Sequence, residues 1–143
     1  MQKKTATLFM LVLFLCVTFV SFLPGKTLFA QNIYGQDALC GEWWTPNNEG
    51  RIIFFKSGTT YSGKVSWFKV PNDPETGKPK LDKHNPNPAL RKRPVMGLVL
   101  FYNFEYNESK GKYIDGKLYD SNTGNTYSCW IKLIDKNTLE LHR

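Results

Sequence analysis

The sequence predicts an all-β protein, an antiparallel meander that curls toward a barrel. Three observations carry that expectation. Aromatic residues make up 15% of the 143 positions, and they gather in short runs with β-branched residues, as strands do. Glycines and Asn/Asp clusters break these runs at about ten-residue intervals, the spacing of turns. No long stretch repeats apolar residues at three-and-four spacing, which an amphipathic helix requires.

The elements follow in order. "CGEWW" at 40–44 reads as a short first strand and "TPNNEG" as a turn. "RIIFFK" at 51–56 is a second strand, closed by the tight turn "SGTT". "YSGKVSWFKV" at 61–70 is a third, with Tyr61, Val65 and Trp67 expected on one face. "LVLFYNFEYN" at 98–107 is apolar on both faces. "DGKLYD" and "NTYSCWIKLI" follow around the turn "SNTGN". Tyr127, Cys129, Ile131 and Leu133 alternate with Thr126, Ser128, Trp130 and Lys132, the pattern of a strand buried on one side. "KNTLELHR" supplies a last strand after Asp135 to Asn137. Strand–turn–strand order favours antiparallel neighbours. A short meander exposes its edges unless it closes, and about eight strands close around a filled core or one small ligand.

Residues 1–30 read as a secretory signal peptide and 31–143 as a single domain. Gln2, Lys3 and Lys4 open the chain, and Leu8 to Val20 form an apolar run of thirteen residues. That is shorter than the roughly twenty a membrane span takes, and "LPGKTLFA" then places cleavage near Ala30. An uncleaved anchor is the alternative reading. Cys16 lies inside the apolar run behind Leu15, so it is not read as a lipid attachment site. The expectation is export to the periplasm or the medium, with no stable membrane span after processing.

Loss of Lys3, Lys4 and Lys26 lowers the formal charge from +7 to +4, which is not the composition of a nucleic-acid binder. Residues 69–93 hold seven Lys or Arg and three Asp or Glu, so the excess charge belongs to that one segment. Six of the eight prolines lie from Pro71 to Pro94. A connection this long is functional or disordered as a rule, and its prolines argue for stiffness. Asn85 and Asn87 precede prolines and are pushed toward extended geometry. In an extended run Arg91 and Arg93 share one side, where two guanidinium groups can take a carboxylate or phosphate. Asp82 is their nearest internal competitor. The bland reading is that Asp82, Asn85 and the arginines lock the loop onto the sheet.

Cys40 and Cys129 survive processing. They read either as a disulfide, worth roughly 4–5 kcal/mol for a loop of about 90 residues, or as two separate thiols. His84 and His142 are the only histidines, too few for a plausible zinc site. Nucleotide, zinc-hydrolase and nucleophile-elbow motifs are absent, so no cofactor is expected.

"LDKHNPNPALRKRPVMGLVL", with "GEWWT", "YSGKVSWFK" and "DGKLYDSNTGNTYSC", resembles the DUF2147 family of small exported bacterial proteins, itself similar to lipocalin-like barrels. The resemblance covers roughly residues 40–142. It rests most on Asp82, Asn85, Pro86, Leu90, Arg91, Arg93, Pro94 and Gly97, continued by Gly116, Lys117, Leu118, Tyr119, Asp120, Gly124 and Tyr127. It implies a lipocalin-like (calycin-type) meander barrel with one long Pro-rich basic crossing loop and no established activity. Ser121 stands where the family usually has proline. Members typically continue past "LHR" to a final strand, whereas this sequence stops at Arg143. The expectation is therefore a barrel incomplete at its C-terminal strand, with an open seam, a seam filled by another chain, or a shortened product. An unpaired edge also invites oligomers.

The leading expectation is a non-catalytic barrel binding a small anionic or amphipathic molecule. Trp67 and Tyr119 would offer apolar surface, Arg91 and Arg93 would meet the negative end, Asn85 and Asp82 are further candidate ligand-binding residues, and Asp120 would orient an arginine. Lys92 would face solvent. The second is an envelope module docking a partner protein or polyanion through 71–94. The third is a hydrolase-like enzyme using Asp82 and His84.

Overall fold

The computed structural model describes residues 35–143; the expected signal peptide, 1–30, lies outside the described residues. Seven strands follow in sequence: β1 (Gly41–Trp44), β2 (Gly50–Ser57), β3 (Thr60–Phe68), β4 (Val99–Asn107), β5 (Lys112–Asp120), β6 (Asn125–Asp135) and β7 (Thr138–His142). They form one sheet in that order, each antiparallel to the next. β1 and β7 do not pair. The closed barrel that edge economy favours is thus a curled half-barrel, with its seam between a four-residue β1 and a five-residue β7.

Local chemistry sets the turns. β2 and β3 join through a two-residue loop in which Gly58 takes φ 64°, a value that costs glycine nothing. At the β6–β7 turn the Asp135 carboxylate accepts from Asn137 N–H at 2.7 Å. Between β4 and β5, Asn107 Oδ1 accepts from Lys110 N–H at 2.9 Å.

Extra residues in β3, β4 and β5 decide which side chains face inward. Arg51 pairs with Trp67 and Ile52 with Val65, which leaves Ser66 unpaired in β3. That bulge shifts the alternation by one. Tyr61 and Val65 are buried as expected, but Trp67 turns outward and is 37% exposed. It stands beside Trp44 at 5.6 Å between ring centroids, with the Arg51 guanidinium 4.0 Å from the Trp44 ring. In β4, where Asn103 has φ 61°, the register slips so that Phe101 and Phe104, three apart, both pack inward. In β5 the slip at Asp115, φ 58°, does the same for Tyr113 and Gly116. A run apolar on both faces is therefore one inner face interrupted by bulges.

Two glycines on this face make room for rings. A methyl at Gly63 would sit 2.8 Å from Phe54 Cε1. One at Gly116 would overlap the ring of Phe104, which has no exposed surface.

One end of the half-barrel is plugged by the turn before β1. Leu39 is fully buried there. Its N–H donates to the Tyr113 hydroxyl at 3.1 Å, which in turn donates to the Gln36 carbonyl at 2.8 Å. The Asp37 carboxylate accepts from Tyr61 Oη at 2.5 Å and from Lys56 Nζ at 2.9 Å. Tyr61, Tyr113, Phe104 and Ile131 fill the space above the plug, each burial worth about 2–3 kcal/mol.

Gly116→Ala is expected to cost about 2–3 kcal/mol by forcing Phe104 off its site, read as a lower urea midpoint. Adding Phe104→Leu should recover part of the loss. An unchanged midpoint for Gly116→Ala would contradict the packing.

Candidate functional site

The basic insert leaves the sheet after β3 and returns before β4. It is ordered by its own short ladders. Asn72 bridges to Pro79 and Leu81 to Pro94. Lys80 N–H donates to Pro71 C=O at 3.1 Å, and Val95 N–H to Lys80 C=O at 2.9 Å. The Asp73 carboxylate accepts from Glu75 N–H, Thr76 N–H and Lys83 Nζ, the last at 2.6 Å. With Lys83 the largest cause, these hold its carboxyl down at about 2. At the tip, Asn87 caps the 3-10 turn Pro88–Leu90 through Ala89 N–H.

One buried carboxylate joins this insert to the sheet. Asp82 has no exposed surface. Its Oδ1 accepts from Tyr119 Oη at 2.5 Å, and Tyr119 belongs to β5. Its Oδ2 accepts from Asn85 Nδ2 at 2.8 Å and Arg93 Nε at 2.9 Å, with Arg93 Nη2 also at 2.9 Å. Asn85 Nδ2 reaches Tyr119 Oη as well, at 3.1 Å. Burial alone would raise the Asp82 pKa, but the donors from Tyr119, Asn85 and Arg93 outweigh it and the carboxyl lies below its usual range. Burial, then the hydrogen bond to Asp82, raises Tyr119. Gly124, φ 76°, seals a second contact: any side chain there would overlap the His84 carbonyl.

The end of the half-barrel opposite the plug is open. Between the sheet and the insert lies a cleft of about 830 Å³. Ile52, Val65, Phe68, Leu100, Phe101 and Leu118 give it an apolar floor, and Leu81 and Val95 wall it from the insert side. Arg51, Lys69, Lys80, Lys83 and Arg143 line it with positive charge against Glu49, Asp73 and Asp120.

The sequence-predicted residues divide between latch and cleft. Asp82, Asn85, Arg93 and Tyr119 come together, so the latch includes Tyr119 and only one of the two arginines, Arg93. Tyr119, Asp120 and His84 also line the cleft; Arg91, Arg93, Asn85, Asp82 and Trp67 do not. Arg91 Nε donates to the Asn85 carbonyl at 2.7 Å, and its side chain is otherwise outside the cleft. Asp120 orients no arginine: its oxygens accept from Asn122 N–H at 2.9 Å and Thr123 Oγ1 at 3.1 Å. Asp82 is hydrogen-bonded to Tyr119, Asn85 and Arg93 and not to His84. Cys40 and Cys129 are separate free thiols, the first exposed ahead of β1 and the second buried on β6, where burial pushes it up to about 11. Among the described residues no group of three His, Cys, Asp or Glu is placed to hold a metal, and no helix is long and apolar enough to cross a membrane.

Sequence reasoning missed Phe68, Lys80, Leu100 and Leu118 as cleft residues. Leu81 and Val95, apolar among prolines and charges, were the available signal that the insert has an inner face.

A family model described as "Uncharacterized protein conserved in bacteria (DUF2147)" matches residues 41–142. A solved structure, protein HP1028 from Helicobacter pylori, described as belonging to the lipocalin family, is 26% identical, with a TM-score of 0.56 over 72% of this chain and 69% of that one. No match is found among curated proteins.

Asp82→Asn places an amide among three donors and is expected to cost about 2–3 kcal/mol in urea unfolding at neutral pH. The folded carboxyl titrates below its unfolded value, so its contribution is complete above about pH 5 and is lost as pH falls through the folded pKa. The gap between wild type and Asp82→Asn should therefore narrow below about pH 4. A gap that widens on acidification would refute the latch.

Proposed function

The chain belongs to the DUF2147 family, and from that premise we propose that it is a binding protein which takes a small anionic or amphipathic molecule into the open end of its half-barrel. The observation that carries the reading is the cleft itself: about 830 Å³, apolar at its floor and lined by five cationic side chains against three carboxylates. Cavities of a few hundred to about 1,000 Å³ with apolar walls and few polar groups are the usual form of small-molecule sites. Tyr119 and Asp120 contribute to the lining, while Arg93 acts through Asp82 by holding the insert that forms one wall. Lipocalin-like architecture supports small-molecule binding as a class. In this reading residues 1–30 direct export, and the protein works in the periplasm or outside the cell.

The second reading, a docking module for a partner protein or polyanion, draws support from the insert's outer surface. Lys78, Arg91 and Lys92 are all exposed there. The two readings differ in where substitutions act and in how steeply binding falls with salt.

The test is titration with anilinonaphthalene sulfonate, an anionic apolar dye, followed by fluorescence. Saturable binding at one site per chain is expected, weakened about tenfold or more by Leu100→Trp, which fills the cleft. Dye binding that ignores Leu100→Trp but disappears in an Arg91→Ala/Lys92→Ala variant would favour the docking surface. Absence of saturable binding would overturn the cleft reading.

A further inference from the structure

Resting on the cleft reading, we propose that Lys80 is the head-group receptor of this site. The ligand class is a molecule with a single anionic head on an apolar tail, such as an acyl carboxylate.

The carboxylates at the cleft are mostly occupied. Asp73 is paired with Lys83 at 2.6 Å, and both oxygens of Asp120 accept hydrogen bonds within its own turn. Glu49 is exposed. Among the cations, Arg51 is paired with Glu42 at 2.9 Å and Lys83 with Asp73. Arg143 lies over the Tyr127 ring at 5.2 Å. Lys69 is exposed to solvent. Lys80 differs from each of these. It is half-buried, and among the described residues no carboxylate pairs with it. Its ammonium lies 5.6 Å from the centroid of the Phe68 ring, on the cleft lining.

A ring face gives the Lys80 ammonium partial electrostatic satisfaction without an ion pair. An incoming anion would complete it through a charge-assisted hydrogen bond. The position is also fixed before binding. Lys80 N–H and C=O are both held across the two limbs of the insert, at 3.1 Å and 2.9 Å, so the stem starts from an ordered backbone. The head it suits is compact. Lysine presents a point charge on a flexible stem and does not demand the planar two-point geometry that arginine matches. Next to it the lining turns apolar: Phe68, Val65, Phe101 and Leu118 carry no charge, so a tail beyond the head meets hydrocarbon.

Three probes of one chain length separate head from tail: dodecanoate, dodecanol and dodecylamine, measured by calorimetry on the full chain freed of residues 1–30. Dodecanoate should bind most tightly and dodecylamine least. Lys80→Gln, which keeps most of the stem, should weaken dodecanoate about tenfold while leaving dodecanol and the thermal midpoint unchanged. Lys92→Gln, on the exposed part of the insert, should leave all three probes unchanged. Equal binding of dodecanoate and dodecanol, or a Lys92→Gln loss as large as that of Lys80→Gln, would overturn Lys80 as the receptor and leave the cleft standing. Failure of all three probes to bind would overturn the cleft and the receptor together.

Discussion

The fold depends on a carboxylate that has no exposed surface. Asp82 sits wholly inside the protein, and its two oxygens are divided between the sheet and the insert. Tyr119 of β5 takes one, and Asn85 and Arg93 take the other. A buried charge is tolerable only when it is paired and hydrogen-bonded. Each donor is thereby held in place by the cost of leaving the others unsatisfied. Through this group a long proline-rich segment becomes a wall instead of a free loop. The prolines restrict the segment's conformations, and the carboxylate selects the one that lies on the sheet.

That wall gives the half-barrel two unlike ends. At one end the turn around Leu39 closes the interior through Tyr113 and the Asp37–Tyr61 contact. At the other the insert stands off from the sheet, and the space between stays open. The plugged end supplies packing and the open end supplies surface, so the two are separated along the axis. Among the described residues the seam between β1 and β7 leaves two edges without a strand partner, both short. Short edges limit pairing with other chains.

Curvature comes from the bulges. Ser66, Asn103 and Asp115 each mark a slip in register. Each returns a large side chain to the inner face that simple alternation would send outward, or the reverse. Gly63 and Gly116 lie where Phe54 and Phe104 need their room. Aromatic bulk and the missing side chain of glycine are thus two halves of one packing device. The Trp44–Arg51–Trp67 stack on the outside is the counterpart of the same register shift.

Strands and turns were legible in the sequence because their causes are local. Asp135–Asn137 makes its turn with its own atoms, and Cys129, Ile131 and Leu133 alternate whatever lies across from them. The family resemblance put Asp82, Asn85, Arg91 and Arg93 in one motif; Asp82, Asn85 and Arg93 meet at one carboxylate, while Arg91 bonds to the Asn85 carbonyl. What the sequence left open was direction. Trp67 reads as inward by counting and lies outward because one unpaired residue in β3 reverses the count. Lys80 reads as one lysine among several, and only the folded chain shows it half-buried beside the Phe68 ring with no carboxylate paired to it among the described residues. Such facts depend on partners far away along the chain, and sequence spacing carries no measure of that distance. Composition and pattern therefore determined an all-β meander with a stiff basic crossing, while tertiary contacts decided which face each side chain serves and which charges are paired.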